Sequence, residues 1–169
     1  NQTPETATLF NVVDTCDTHA AIAQHFAVVD QVARENDTLA LISTGALADK
    51  PLFQRLVQAE QRHQGELIVL SGAVAGMDGL ASAREGGLDS VTYTSNKSPA
   101  SWRGSPAEKL VDLDNVTEPV VFFEGSARDA AQQFPANANV AATVALMGIG
   151  MDLTKVKLRV DPHTSRNTH

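Results

Sequence analysis

Several short clusters of side chains in this sequence could do chemistry. Arg166-Asn167-Thr168-His169 is a polar run lying just past a strand-like segment and Asp161-Pro162. Loops at strand ends often carry catalytic groups, and an imidazole of reference pKa ~6.5 can trade protons near neutral pH. A lone histidine in a polar loop is, however, more often simply solvated. Ser71–Gly79 (SGAVAGMDG) follows a strand-like run and precedes a helix. That is where an open α/β sheet presents backbone N–H groups to a ligand. Its spacing is neither G-x-G-x-x-G nor G-x-x-x-x-G-K-[ST], so it makes no phosphate cradle, and a hinge needing permissive dihedrals explains these glycines equally well. Ser43-Thr44-Gly45-Ala46 is a similar strand-to-turn step that could line the same crevice.

Two further clusters have plainer readings. Asn139, in Asn137-Ala138-Asn139, precedes an apolar helix and could be its N-cap. As a ligand contact its amide could donate and accept at once, which suits a carboxamide or a ribose. Glu124–Asp129 reads as a turn with Ser126 as N-cap, and no G-x-S-x-G accompanies it to make a serine nucleophile. His19 and His25 fall on one expected helix and His63 ends another, with no H-E-x-x-H spacing, and Cys16 alone builds no thiolate zinc site. A metal centre is not expected.

Elements must position these groups. Leu9–Val13 reads as a strand, followed by a helix with Ile22, Phe26, Val29 and Ala33 on one face. Thr38–Ser43 is the next strand, Lys50–His63 a helix with Leu52, Leu56, Val57 and Ala59 inward, and Glu66–Leu70 a further strand. Strands alternating with helices imply parallel βαβ units. The second half changes character. A short helix is expected at Leu80–Arg84, strands at Asp89–Thr94, Pro119–Phe123 and Lys155–Val160, helices at Ser126–Gln133 and Val140–Gly148, and a loop over Ser98–Ser105. Val156, Leu158 and Val160 share one face, as in a mixed or antiparallel sheet covered on one side. The expected fold is therefore α/β: part of a doubly wound parallel sheet over residues 1–70, then an α+β domain over 71–169, with the junction near Leu70–Asp78.

Composition narrows the function classes. With 43% hydrophobic residues, a disordered chain is not expected. A net charge of −7 with no basic block disfavours nucleic acid or an anionic membrane as partner, and no apolar run approaches the ~20 residues of a membrane-spanning helix. One cysteine makes a reducing, cytoplasmic compartment the default expectation. Aromatics are only 5%, so the core should rest largely on Val, Leu, Ala and Ile. The sequence opens at Asn1 without a methionine and stops at His169 within a polar motif, from which we expect part of a longer polypeptide.

Leu70–Leu80 (LSGAVAGMDGL), Val121–Leu146, Gly148–Pro162 and Thr164–His169 (TSRNTH) together resemble the L-aspartate dehydrogenase family, in the same order; Ile42–Asp49 and Gly86–Pro99 fit less tightly. The resemblance implies a Rossmann-type nucleotide domain followed by a substrate domain, in a cytoplasmic and usually homodimeric enzyme. It also implies oxidation of L-aspartate with NAD or NADP to an imine, which hydrolyses to oxaloacetate and ammonia. By its motifs the catalytic histidine falls on His169, and cofactor contacts fall on Ala73 and Asn139. Against a negative net charge, Arg166 and Lys97, with Asn167 beside the former, are the candidates to hold the two substrate carboxylates. The family's opening glycine-rich turn, its ribose-selecting residue and the strands after NTH have no counterpart here. Two other readings remain: a catalytically silent module binding a small ligand or a partner, and another Rossmann enzyme such as a homoserine dehydrogenase or a dihydrodipicolinate reductase.

Overall fold

The computed structural model describes residues 38–169 other than 42, 64, 65 and 73. The strand expected at Leu9–Val13, the helix carrying Ile22 to Ala33, Cys16, His19, His25 and Ala73 lie outside the described residues.

Thr38–Leu41 (β1) and Glu66–Val69 (β2) pair in parallel, with Leu41 opposite Val69. Parallel neighbours need a crossover, which here contains helix α1, Lys50–His63, with the bounds that its periodicity suggests. Asp49 starts α1: its Oδ1 accepts the Leu52 N–H at 2.8 Å, satisfying one of the free donors of the first turn. Leu52 and Leu56 point inward onto Leu41 and Leu47, forming a small core. β1 stops short of Ser43 because Thr44–Ala48 winds into a 3-10 helix, burying Thr44, Leu47 and Ala48.

The glycine-rich stretch is a true turn. Gly72 and Gly76 sit at φ 62° and 76°, a left-handed conformation that a side chain would strain. Gly76 ends the turn at α2, Met77–Glu85, which starts earlier than the expected Leu80.

The second sheet is mixed. Thr92–Lys97 (β3) runs parallel to Lys155–Val160 (β5), and Val120–Ser126 (β4) runs antiparallel to it, in the order β3-β5-β4. The first of these strands lies further along than the expected Asp89–Thr94, since its ends are set by the register of Thr92 on Lys155 and Lys97 on Val160. Val156, Leu158 and Val160 are fully buried together with Tyr93 and Ser95 of β3. Above that face lie helices α4, Ala127–Gln133, and α5, Asn139–Met147. Ala127, Ala130, Ala141, Ala142 and Ala145 are all at 0% exposure, small residues that let helix backbones approach closely. Ser126 and Asp129 form a reciprocal capping box at the start of α4.

Ser98–Ser105 is not simply a loop. Ser98 caps a single helical turn, Pro99–Trp102 (α3), which drives Trp102 into the core. Aromatics are few but concentrated: Trp102 meets Phe122 edge-on at 4.8 Å, and Phe134 meets both Phe122 and Phe123.

The two sheets are tied together. Arg128 reaches from α4 to the Ala48 carbonyl while its guanidinium pairs with Asp152, which also meets Lys50 at 3.5 Å. Among the described residues no helix is long and apolar enough to cross a membrane.

Candidate active site

The polar end of the chain is pinned to the sheet. Asn96 and Thr168 exchange backbone hydrogen bonds, each at 2.9 Å, so the last residues lie antiparallel along the outer edge of β3. Asp161 folds the connecting loop: one carboxylate oxygen accepts the His163 N–H at 2.9 Å and the other the Asn96 Nδ2 at 3.2 Å. Those bonds hold its carboxyl below the usual aspartate range.

This docking decides where His169 goes. Its Nδ1 lies 2.6 Å from the Tyr93 hydroxyl, and the two rings stack at 5.9 Å with 17° between their planes. His169 is an exposed residue overall, but partial burial of its ring, and then the Lys97 ammonium, lower the imidazole below its ordinary 6.5, so the neutral form prevails at neutral pH. Tyr93 itself is pushed up to about 12 by burial, with the Ser95 hydroxyl beside it pulling weakly the other way. Ser95 Oγ is buried without a hydrogen bond in good geometry, as is Asn96 Oδ1.

Lys97 ends the same strand face that carries Tyr93 and Ser95. Its Nζ donates to Asn137 Oδ1 at 2.9 Å and sits 4.8 Å above the Trp102 ring. Trp102 is fixed in turn by its indole N–H, which donates to the Arg159 carbonyl at 3.0 Å. No ion pair is formed by Lys97 among the described residues, and burial lowers its pKa. A half-buried cation with only neutral partners is poised for an anion.

Asn139 opens α5 but does not cap it; that position is held by Ala138 without a side-chain bond. Its Oδ1 instead accepts the Gly45 N–H at 2.9 Å, and its carbonyl accepts from Thr44 Oγ1 at 2.6 Å. The Ser43–Ala46 step is thus packed against α5. The carboxamide Nδ2 of Asn139 has no partner among the described residues. Through Lys97 and Asn137, the His169 end of β3 is joined to the turn just before Asn139.

The remaining candidates are placed less tightly. Arg166 and Asn167 are exposed, and among the described residues only the Arg166 backbone is engaged, by Thr164. Ala73 is outside the described residues. Tyr93, Ser95 and Trp102 were not legible as site residues; the available signal was that Tyr93, Ser95 and Lys97 fall on one face of an alternating strand. Among the described residues no group of three or more His, Cys, Asp or Glu could hold a metal.

A mixed α/β fold that presents an imidazole and, among the described residues, an ammonium without an ion pair at one sheet edge, with a carboxamide at the start of a helix in the layer above, has the features of a small-molecule site. Residues 78–169 match the family model "Aspartate dehydrogenase, C-terminal", and the chain belongs to that family. It is 76% identical over 131 residues to an L-aspartate dehydrogenase of Serratia proteamaculans, covering 78% of this chain and 50% of that protein. An L-aspartate dehydrogenase of Acinetobacter baumannii is 53% identical over 150 residues, covering 89% of this chain and 56% of the relative. The crystal structure of aspartate dehydrogenase from Thermotoga maritima superposes with a TM-score of 0.70 at 28% identity, over 85% of this chain and 57% of that one. The chain spans about half the length of the curated relatives it matches.

Proposed function

We propose that this chain supplies the substrate-binding and catalytic part of an NAD(P)-dependent L-aspartate dehydrogenase. The observation that carries this reading is the Lys97 ammonium, without an ion pair among the described residues, on the strand whose Tyr93 holds the neutral imidazole at Nδ1. Residues 1–70 would belong to a Rossmann-type nucleotide domain and 71–169 to the substrate domain of a cytoplasmic homodimer.

The residues present fit the nicotinamide end of such a cofactor. Asn139 keeps a free amide donor while its oxygen is occupied by Gly45, so its plane is fixed before any ligand arrives. Ala73, whose neighbours in sequence are Gly72 and Val74, is the second contact the family motif implies. When bound, the nicotinamide would take hydride from Cα of aspartate.

The protein's own groups do the rest. Lys97 pairs with one carboxylate of the substrate, and Arg166, whose guanidinium has no partner among the described residues, takes the other, with Asn167 beside it. His169, neutral at working pH, takes a proton from the substrate ammonium so that an imine can form. It releases that proton to solvent, then takes one from the water that attacks the imine and returns it to the departing nitrogen, and oxaloacetate and ammonia leave.

The test is His169→Ala in the full chain, with aspartate-dependent reduction of NAD or NADP followed by absorbance. A loss of about 10²–10⁴-fold in turnover with cofactor affinity nearly intact is expected for removal of a general base. Turnover within a few-fold of the parent would refute the assignment.

A further inference from the structure

We propose that Tyr93 is a positioning residue for His169: its oxygen accepts the Nδ1–H of the imidazole, which leaves Nε2 unprotonated and free to act as the base. The inference rests on the catalytic reading of His169 and adds to it a partner that fixes the ring and its tautomer.

The geometry is specific. Tyr93 lies within β3, backed by β5, with Tyr93 opposite Val156 in register, and only 5% of it is exposed. Its hydroxyl is 2.6 Å from Nδ1, and the near-parallel rings restrict rotation of the imidazole about its side-chain bonds. The other ring nitrogen, Nε2, has no protein partner among the described residues. A neutral imidazole is a base at Nε2 only when its proton sits on Nδ1, and that proton needs an acceptor. Once Nε2 has taken a proton from substrate, Nδ1–H is part of an imidazolium, and the same Tyr93 oxygen still receives it. No regrouping of hydrogen bonds is then needed during the proton transfer.

The hydroxyl proton of Tyr93 must point elsewhere in this arrangement. Ser95 is next along the same strand face, fully buried, and its Oγ lacks a partner in good geometry. It is also the side chain that influences the Tyr93 hydroxyl. A rotation of Ser95 about χ1 would complete the chain His169 Nδ1–H to Tyr93 oxygen, and Tyr93 O–H to Ser95 Oγ. Buried hydroxyls normally find such partners.

Two measurements on the full chain test this. In the parent protein, 15N spectra of the imidazole of His169, assigned by difference from His169→Ala, should show the Nδ1-protonated tautomer predominating at neutral pH. In Tyr93→Phe, which keeps the buried ring, the tautomer should revert to the ratio of free histidine. At the same time kcat should fall at least about tenfold, with KM for aspartate and the affinity for NAD(P) within about threefold of the parent. An Nε2-protonated tautomer in the parent would overturn the proposal even if Tyr93→Phe failed to fold, and so would an unchanged kcat in a folded Tyr93→Phe. If His169→Ala abolishes turnover while Tyr93→Phe does not reduce it, the catalytic reading stands and only the role of Tyr93 falls.

Discussion

The side-chain oxygen of Asn139, the first residue of its helix, accepts the backbone N–H of Gly45 at 2.9 Å, joining the strand-to-turn step of the first sheet to the helix layer over the second. The contact is so close that a Cβ on Gly45 would stand 2.8 Å from that oxygen. One carboxamide therefore has two jobs on its two ends, a structural one at Oδ1 and, in the proposed function, a cofactor contact at Nδ2.

Substitutions at Asn139 should separate those jobs. Asn139→Asp keeps an acceptor for Gly45 and removes the amide donor, so we expect a near-parent melting temperature with weakened NAD(P) binding. Asn139→Ala also strands the Gly45 N–H, at a cost of about 1–3 kcal/mol in stability. Calorimetric melting and cofactor titration of both variants decide the matter; equal stability loss in the two would contradict it.

Lys97→Met should act on the substrate and on the imidazole together. Without a cation nearby, the imidazolium of His169 becomes less unfavourable, and its pKa moves back up toward 6.5, though not fully, because burial is the larger cause of the depression. The base form is then lost at higher pH. The acid limb of kcat/KM against pH should accordingly shift upward, along with a raised KM for aspartate. A pH profile that does not move would remove Lys97 from the site.

Tyr93 is the sole tyrosine of the chain, which makes its ionisation readable by phenolate absorbance. The midpoint should lie near 12 rather than the ordinary 10. Since the folded value is the higher one, burial of the neutral phenol stabilises the fold below pH 10, and that contribution is lost as pH rises toward 12. A midpoint at the ordinary value would mean that the hydroxyl is open to water.

Arg128→Ala should cost about 2 kcal/mol, because one guanidinium satisfies both the Ala48 carbonyl and the Asp152 carboxylate. Denaturant unfolding reads this directly. The Arg128 hydrogen bond holds Asp152 below its ordinary 3.8, so the clamp's ionic part is present above that pH and fades as pH falls through the depressed value. A variant with parent stability at neutral pH would show the clamp to be a surface ornament without energetic effect.

Local chemistry made much of the fold legible. Lys50–His63 and Lys155–Val160 carry strong periodicities of their own, apolar residues at helical spacing in one and strict alternation in the other, and both elements appear with the expected bounds. Ser126 was readable as the N-cap after a strand-like run, and the structure adds Asp129 as its reciprocal partner. Boundaries set by pairing were less legible. Thr92–Lys97 lies further along the chain than its own alternation suggests, since the register with Lys155–Val160 fixes its ends. The helical turn at Pro99–Trp102 was hidden in a Ser/Pro/Gly stretch because what stabilises it is burial of Trp102, a long-range term.

The sequence by itself determined the residue types of the site and, through the motifs around Asn139 and His169, the family to which the chain belongs. Only tertiary structure decided what those residues touch. Asn96 and Thr168 are far apart along the chain, and their paired backbone bonds are what carry His169 to the Tyr93 hydroxyl. Strand pairing of this kind depends on backbone groups that every residue possesses, so no side-chain pattern announces it.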